Sequence, residues 1–76
     1  MDKQIEPIYE LIGKFIAKKR ESKNYSQINL CHFANVNITT LLSCEKASKR
    51  IQIDNLEKIC KGLDIKLTDL FLQIKK

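Results

Sequence analysis

The stretch SQINLCHFANVNITTLLSCEK, residues 26–46, decides the fold of this chain of 76 residues. Ser26 and Asn37 are good N-caps, because their side-chain oxygens can accept a hydrogen bond from a backbone N–H of the first helical turn. Asn35 tolerates the positive φ that a tight turn requires. The stretch therefore predicts two short helices joined by a tight turn, over residues 27–34 and 38–46.

Helical patterns continue on the N-terminal side of this centre. Ile8, Ile12 and Ile16 recur at the spacing of one helix face, and Pro7 suits the first turn of a helix. Asn24 can take the left-handed conformation that often follows the last helical turn. These signals predict a first helix that starts near residues 6–7 and continues to about residue 22.

Two more helices are expected after the centre. Asp54 is a candidate N-cap for a helix over residues 55–63, and Thr68 is a candidate N-cap for a last helix over residues 69–74. The chain has two glycines, one proline and no Asn-Gly or Asp-Gly pair, so hairpin turns are not favoured. We predict an all-α fold of five helices in a single domain, residues 1–76.

Charge and cysteine usage narrow the class of protein. The chain carries 14 Lys and Arg against 9 Asp and Glu, a net charge of +5, which favours a polyanionic partner. Cys31, Cys44 and Cys60 are odd in number and lie in apolar surroundings, as free core thiols do. No signal peptide or membrane-spanning run is recognisable, so we expect a cytoplasmic protein.

An ordered set of residues carries a family resemblance across the segment 12–71. Its members are Ile12-Gly13, Ile16, Arg20, Ser26-Gln27, Leu30, Val36, Leu41, Cys44-Glu45, Leu56, Ile59-Cys60, Gly62-Leu63-Asp64-Ile65 and Asp69-Leu70-Phe71. In order and spacing this set resembles the phage repressor and Cro-type family, also called the xenobiotic-response-element family of bacterial regulators. Controller proteins of restriction-modification systems are among its stand-alone members of this length.

The resemblance implies a repressor-like domain with a central helix-turn-helix at about residues 26–46. Such a protein would be a sequence-specific transcriptional regulator that binds double-stranded DNA as a dimer on a pseudo-palindromic operator. The helix over residues 38–46 would enter the major groove, in the docking geometry known for phage repressors. The residues expected at DNA are Gln27, Asn37, Ile38, Thr39, Leu42, Ser43, Lys46, Ser48, Lys49 and Arg50. Arg20 and Glu45 match a structural ion pair of the family.

The outer face of the predicted recognition helix departs from the family pattern. It carries Ile38 and Leu42 and lacks the Arg, Gln or Asn side chains that read bases with two hydrogen bonds. Ile28 and Phe33 add apolar residues where the family is usually polar, and exposed apolar residues can mark a protein interface. The alternative is therefore a protein-binding module on a repressor-like fold.

The last predicted helix is apolar on more than one side, through Leu70, Phe71, Leu72 and Ile74. We expect a homodimer through this helix.

The single histidine, His32, stands beside Cys31, but adjacent helical residues point about 100° apart and no other ligand stands at metal-binding spacing. The two glycines, far apart in sequence, form no phosphate-binding loop. We predict no enzyme activity, cofactor, metal or small-molecule ligand.

Overall fold

The computed structural model describes residues 6–74, and in this range it contains five α-helices and no strand. The helices are α1 (Pro7–Ser22), α2 (Gln27–Ala34), α3 (Ile38–Lys46), α4 (Ile53–Gly62) and α5 (Leu67–Ile74). The predicted all-α architecture with a central helix-turn-helix is confirmed. Of the helices described, none has the length and apolar character needed to cross a membrane.

The helix-turn-helix begins and ends at the residues that its capping signals indicate. Ser26 Oγ accepts a hydrogen bond from the Asn29 backbone N–H (3.0 Å), and Asn29 Oδ1 accepts one from the Ser26 N–H (3.2 Å), which completes a capping box. Asn35 ends α2 in the left-handed conformation, with φ 59°. Asn37 Oδ1 then accepts from the Thr40 N–H at 2.9 Å and caps α3.

The two C-terminal helices begin earlier than predicted, so Asp54 and Thr68 are not N-caps. The Leu56 N–H already donates to the Gln52 carbonyl (3.0 Å), which makes Gln52 the N-cap of α4. The Leu70 N–H likewise donates to the Lys66 carbonyl (3.2 Å). Asp54 instead lies in the first turn of α4, where its negative charge is favourable at the positive end of the helix dipole.

All five helices contribute to one hydrophobic core. Its buried members are Ile12, Ile16, Leu30, Ala34, Leu41, Cys44, Leu56, Ile59, Cys60, Leu63, Leu70 and Ile74. Burial raises the pKa of the Cys44 thiol to about 12 and that of the Cys60 thiol to about 11, so both remain protonated core residues at neutral pH. The core therefore lies under both helices of the helix-turn-helix.

Two glycines allow the helices around this core to approach closely. A Cβ at Gly13 of α1 would collide with the Cys44 carbonyl and would lie 2.8 Å from the Glu45 carbonyl oxygen in α3. A Cβ at Gly62 of α4 would lie 2.9 Å from the Ala34 Cβ in α2. Gly13 and Gly62 thus set the distance of α3 and α2 from the helices that support them.

Candidate nucleic-acid interface

The outer face of α3 is partly polar and partly apolar. Leu41 and Cys44 point into the core, which turns Thr39 and Lys46 to the solvent, where both are exposed. Ser43 lies between them along the helix, is half-buried, and lines the groove beside this face. This face offers hydroxyl groups and one positive charge to a partner.

A shallow groove of about 290 Å³ runs beside this face, between α3 and the connector that leads to α4. Thr39, Thr40 and Ser43 line one side. Lys49 and Arg50 line the other, so the groove combines hydroxyl groups with two positive side chains. Such a surface matches the phosphates and polar edges of a nucleic acid.

A cluster of three side chains, which we call the Glu45 clamp, holds α1, α2 and α3 together. Glu45 accepts hydrogen bonds from Arg20 Nε at 2.8 Å, from Arg20 Nη2 at 3.2 Å and from Gln27 Nε2 at 3.0 Å. Arg20 also donates through Nη1 to the Tyr25 carbonyl at 2.9 Å. The side chains of Arg20 and Glu45 are only 12% and 7% exposed.

The clamp fixes the angle between the two helices of the motif. The hydrogen bonds to Glu45 raise the pKa of Arg20 further above its usual value, so the guanidinium stays charged. The structure thus contains the ion pair that the family resemblance implied. It also adds Gln27, whose amide group was expected at DNA and instead donates to Glu45.

Several other residues expected at DNA already have partners within the chain. The Asn37 side-chain oxygen is occupied in capping α3. Arg50 forms a double hydrogen bond with Glu6, from Nε to Oε1 at 2.8 Å and from Nη2 to Oε2 at 2.9 Å. Ser48 and Lys49 are exposed in the connector beside it. Sequence inspection did not identify Glu6, because a partner 44 residues away leaves no periodic signal.

The four apolar residues suspected of forming a protein-binding face do not share one environment. On α2, Ile28 is 66% exposed and Phe33 is 54% exposed. On α3, Ile38 and Leu42 are half-buried. The exposed apolar surface of the motif is therefore concentrated on α2, where the Phe33 ring packs against the Tyr25 ring at a tilt of 58°, with the ring centroids 5.0 Å apart.

Helix α5 offers a smaller free surface than its sequence suggested. Leu70 and Ile74, both expected in a dimer interface, are buried in the core of the monomer. Phe71 and Leu72 remain exposed, Leu72 by 68%. Phe71 borders an apolar groove of about 270 Å³ that α1 and the start of α4 complete. Any partner of α5 would therefore contact this half of the helix.

Within residues 6–74, no group of three or more His, Cys, Asp or Glu side chains is arranged to hold a metal ion. Near α3, the Glu45 clamp and the Glu6–Arg50 pair are each held by hydrogen bonds between side chains. The chemistry that this surface supports is recognition through hydrogen bonds and positive charge.

Comparison with known proteins identifies the family. A family model described as helix-turn-helix matches residues 16–70. No curated protein matches the chain at a significant level. Among solved structures, the chain is similar to the wild-type restriction-modification controller protein C.Esp1396I, with 27% identity and a TM-score of 0.80 over 88% of this chain and 87% of that one.

Two DNA complexes of the same controller protein are also similar. The C.Esp1396I tetramer in complex with its natural 35 base-pair operator gives 27% identity and a TM-score of 0.81 over 88% of both chains. C.Esp1396I bound to a 25 base-pair operator site gives 25% identity and a TM-score of 0.79 over 96% of this chain and 92% of that one. The chain belongs to the helix-turn-helix family of the phage repressor and Cro type.

Proposed function

We propose that the protein is a sequence-specific DNA-binding transcriptional regulator that reads duplex DNA with α3. The observation that supports this best is the Glu45 clamp, which holds α3 rigidly while Thr39, Ser43 and Lys46 face outward. The major groove is about 12 Å wide and admits one α-helix, so a helix held in this way can present its side chains to base edges.

Base reading would rest on few side chains. The hydroxyl groups of Thr39 and Ser43 can donate or accept at either kind of base pair, and Ile38 can pack on a thymine methyl group. Lys46, Ser48 and Lys49 would contact phosphates, which position the protein but do not read sequence. Since no bidentate base-reading side chain lies on this face, part of the specificity would come from the shape of the DNA.

We propose that the DNA-bound form contains a homodimer built through α5. Phe71 and Leu72 are the exposed apolar residues of that helix, and the adjacent groove can receive a side chain of a second copy. The similar controller protein binds its natural operator as a tetramer. Two copies of α3 related by a two-fold axis would reach half-sites about 34 Å apart on a pseudo-palindrome.

The dimer is tested by sedimentation of the protein at tens of micromolar. We expect a dimeric mass for the wild type and a monomeric mass for Leu72→Glu, because the charge would be buried against apolar surface. Ile28→Glu is the matched control, since it places the same charge on an exposed apolar residue of α2. A monomeric wild type would contradict the dimer.

DNA recognition is tested by retaining mixed genomic duplex fragments on the protein at two salt concentrations and sequencing them. We expect enrichment of a palindromic sequence and weaker retention at higher salt, because binding releases counterions from the phosphates. Thr39→Ala with Ser43→Ala should strongly reduce the enrichment and leave only the part that depends on DNA shape, whereas Thr68→Ala, an exposed threonine of α5, should leave it unchanged. Failure to retain any fragment at low salt would reject DNA as the ligand.

The second candidate function is that of a protein-binding module, and it is favoured by the exposure of Ile28 and Phe33. It predicts no dependence of DNA retention on Thr39 or Ser43. Neither proposal includes a catalytic step, a cofactor or a small-molecule ligand.

As a regulator of the bacterial family that it belongs to, the protein would act in the cytoplasm, where the chromosome is.

A further inference from the structure

The contact between Glu6 and Arg50 joins the start of α1 to the connector after α3. The guanidinium donates through Nε and Nη2 to the two carboxylate oxygens at 2.8 and 2.9 Å, which is the parallel, two-bond geometry of strong arginine pairs. The Arg50 side chain is 59% exposed and that of Glu6 is 52% exposed. The pair is thus well formed and yet accessible to an external anion.

Glu6 is available for this contact because its carboxylate does not cap α1. It is the N-cap of α1, and its side chain makes no capping hydrogen bond. Pro7 follows at the first helical position, where its missing N–H costs no hydrogen bond. The hydrogen bond from Arg50 holds the pKa of the Glu6 carboxyl below its usual value, so the carboxylate is charged at neutral pH.

Arg50 occupies a position where a phosphate would be expected. It lines the groove beside α3 together with Thr39, Ser43 and Lys49, the surface that the proposed function assigns to DNA. A phosphate group binds arginine through the same two-bond arrangement as a carboxylate does. Glu6 and a DNA phosphate therefore compete for the same guanidinium donors.

We propose that Glu6 is an internal competitor of DNA, which occupies Arg50 and so lowers the affinity of the protein for the phosphate backbone. Arg50 can bind a phosphate through these donors only after it releases Glu6. Because phosphate contacts carry no sequence information, this competition lowers the affinity for specific and non-specific DNA alike. The inference rests on the proposed function, since it requires that this surface meets DNA.

The variant that tests the proposal is Glu6→Gln, which keeps the shape of the side chain and removes its charge. Freeing one arginine for one phosphate should steepen the salt dependence of binding by about 0.9 in the slope of log K against log salt. Between 50 and 200 mM salt this corresponds to roughly a threefold to fourfold larger loss of affinity than in the wild type. Affinity should rise, and the rise should be roughly threefold to fourfold larger at 50 mM than at 200 mM salt.

Two controls separate release of Arg50 from a general change of charge. Glu10→Gln makes the same charge change on an exposed residue one turn further along α1, and it should alter the salt slope by much less. In the background of Arg50→Gln, the further change Glu6→Gln should have no larger effect than Glu10→Gln has. A nuclear magnetic resonance titration of Arg50→Gln should show the pKa of Glu6 returning toward its ordinary value.

The binding experiment measures fluorescence anisotropy on two duplexes, one selected by the wild type and one of scrambled sequence. The proposal is supported if Glu6→Gln strengthens binding to the scrambled duplex and steepens its salt slope while Glu10→Gln does not. It is overturned if Glu6→Gln equals Glu10→Gln, or if it weakens binding, which would mean that Glu6 orients Arg50 for DNA. If the wild type selects no duplex and does not bind the scrambled one at 50 mM salt, the proposed function fails, and the competition fails with it.

Discussion

The substitution Glu45→Gln should destabilise the protein strongly, because it removes the charge at the centre of the Glu45 clamp. Glu45 is 7% exposed and accepts three hydrogen bonds, two from Arg20 and one from Gln27. Glutamine has the same shape, but its amide nitrogen would face donors where an oxygen now accepts. The Arg20 charge would then lie at a largely buried site without its counter-ion.

The magnitude follows from the burial of the pair. Removing one partner of a buried ion pair costs about 3–5 kcal/mol. Arg20 remains 12% exposed and keeps its bond to the Tyr25 carbonyl, so we expect a loss of about 3 kcal/mol, near the lower end. A domain of this size has a total free energy of unfolding of only about 4–11 kcal/mol. The melting temperature should fall by at least roughly 12 °C.

The assay is urea unfolding followed by circular dichroism, with Glu21→Gln as the matched control. Glu21 also approaches Arg20, at 3.7 Å, but its side chain is 70% exposed, so its loss should cost less than about 1 kcal/mol. The double variant Arg20→Met with Glu45→Met should recover much of the stability, because no charge is left unpaired. A cost below about 1 kcal/mol for Glu45→Gln would refute the reasoning, and so would a double variant whose cost equals the sum of the costs of Arg20→Met alone and Glu45→Met alone.

Three further predictions concern packing, backbone strain and thiol chemistry. Gly13→Ala should lower the free energy of unfolding by about 1–3 kcal/mol in a thermal melt, because the new methyl group meets backbone carbonyls of α3. Unchanged stability would mean that α1 and α3 are further apart. Ala47→Gly should raise stability by about 0.5–1 kcal/mol, since Ala47 holds a φ of 55°; a loss would contradict the strained conformation. In titration with a thiol reagent, half-buried Cys31 should react first, while Cys44 and Cys60 should react only after unfolding. Fast reaction of either buried thiol would contradict its burial.

Local signals in the sequence predicted the first three helices well. Pro7, Ser26 and Asn37 mark helix starts by chemistry that acts within one turn, and α1, α2 and α3 begin at the residue expected from each. Asp54 and Thr68 carry the same kind of signal but lie inside helices. There the chain is already helical from Ile53 and Leu67, and a capping side chain is favourable at a helix start without being necessary for one.

Tertiary contacts account for what could not be predicted about the candidate site. The Gln27 amide and the Arg50 guanidinium were both interpreted as groups directed at DNA. In the structure, the Gln27 amide donates to Glu45, which lies 18 residues away in the sequence. The Arg50 guanidinium donates to Glu6, which lies 44 residues away. Leu70 was placed at a dimer interface because apolar residues on several sides of a helix do not reveal which side packs in the monomer. The hydrophobic pattern predicts that a side chain is buried, but it does not distinguish burial in the core of the monomer from burial in an interface between two copies.

The most direct test of the account is a nuclear magnetic resonance titration of the labelled protein with a duplex that it selects. If α3 reads the major groove, the largest shifts of backbone amide signals should cluster at Thr39, Ser43 and Lys46 and in the connector after them. The signals of Ile28 and Phe33 on α2 should move little. Shifts concentrated on Ile28 and Phe33, or no shifts at low salt, would contradict the assignment of α3 as the DNA-reading helix.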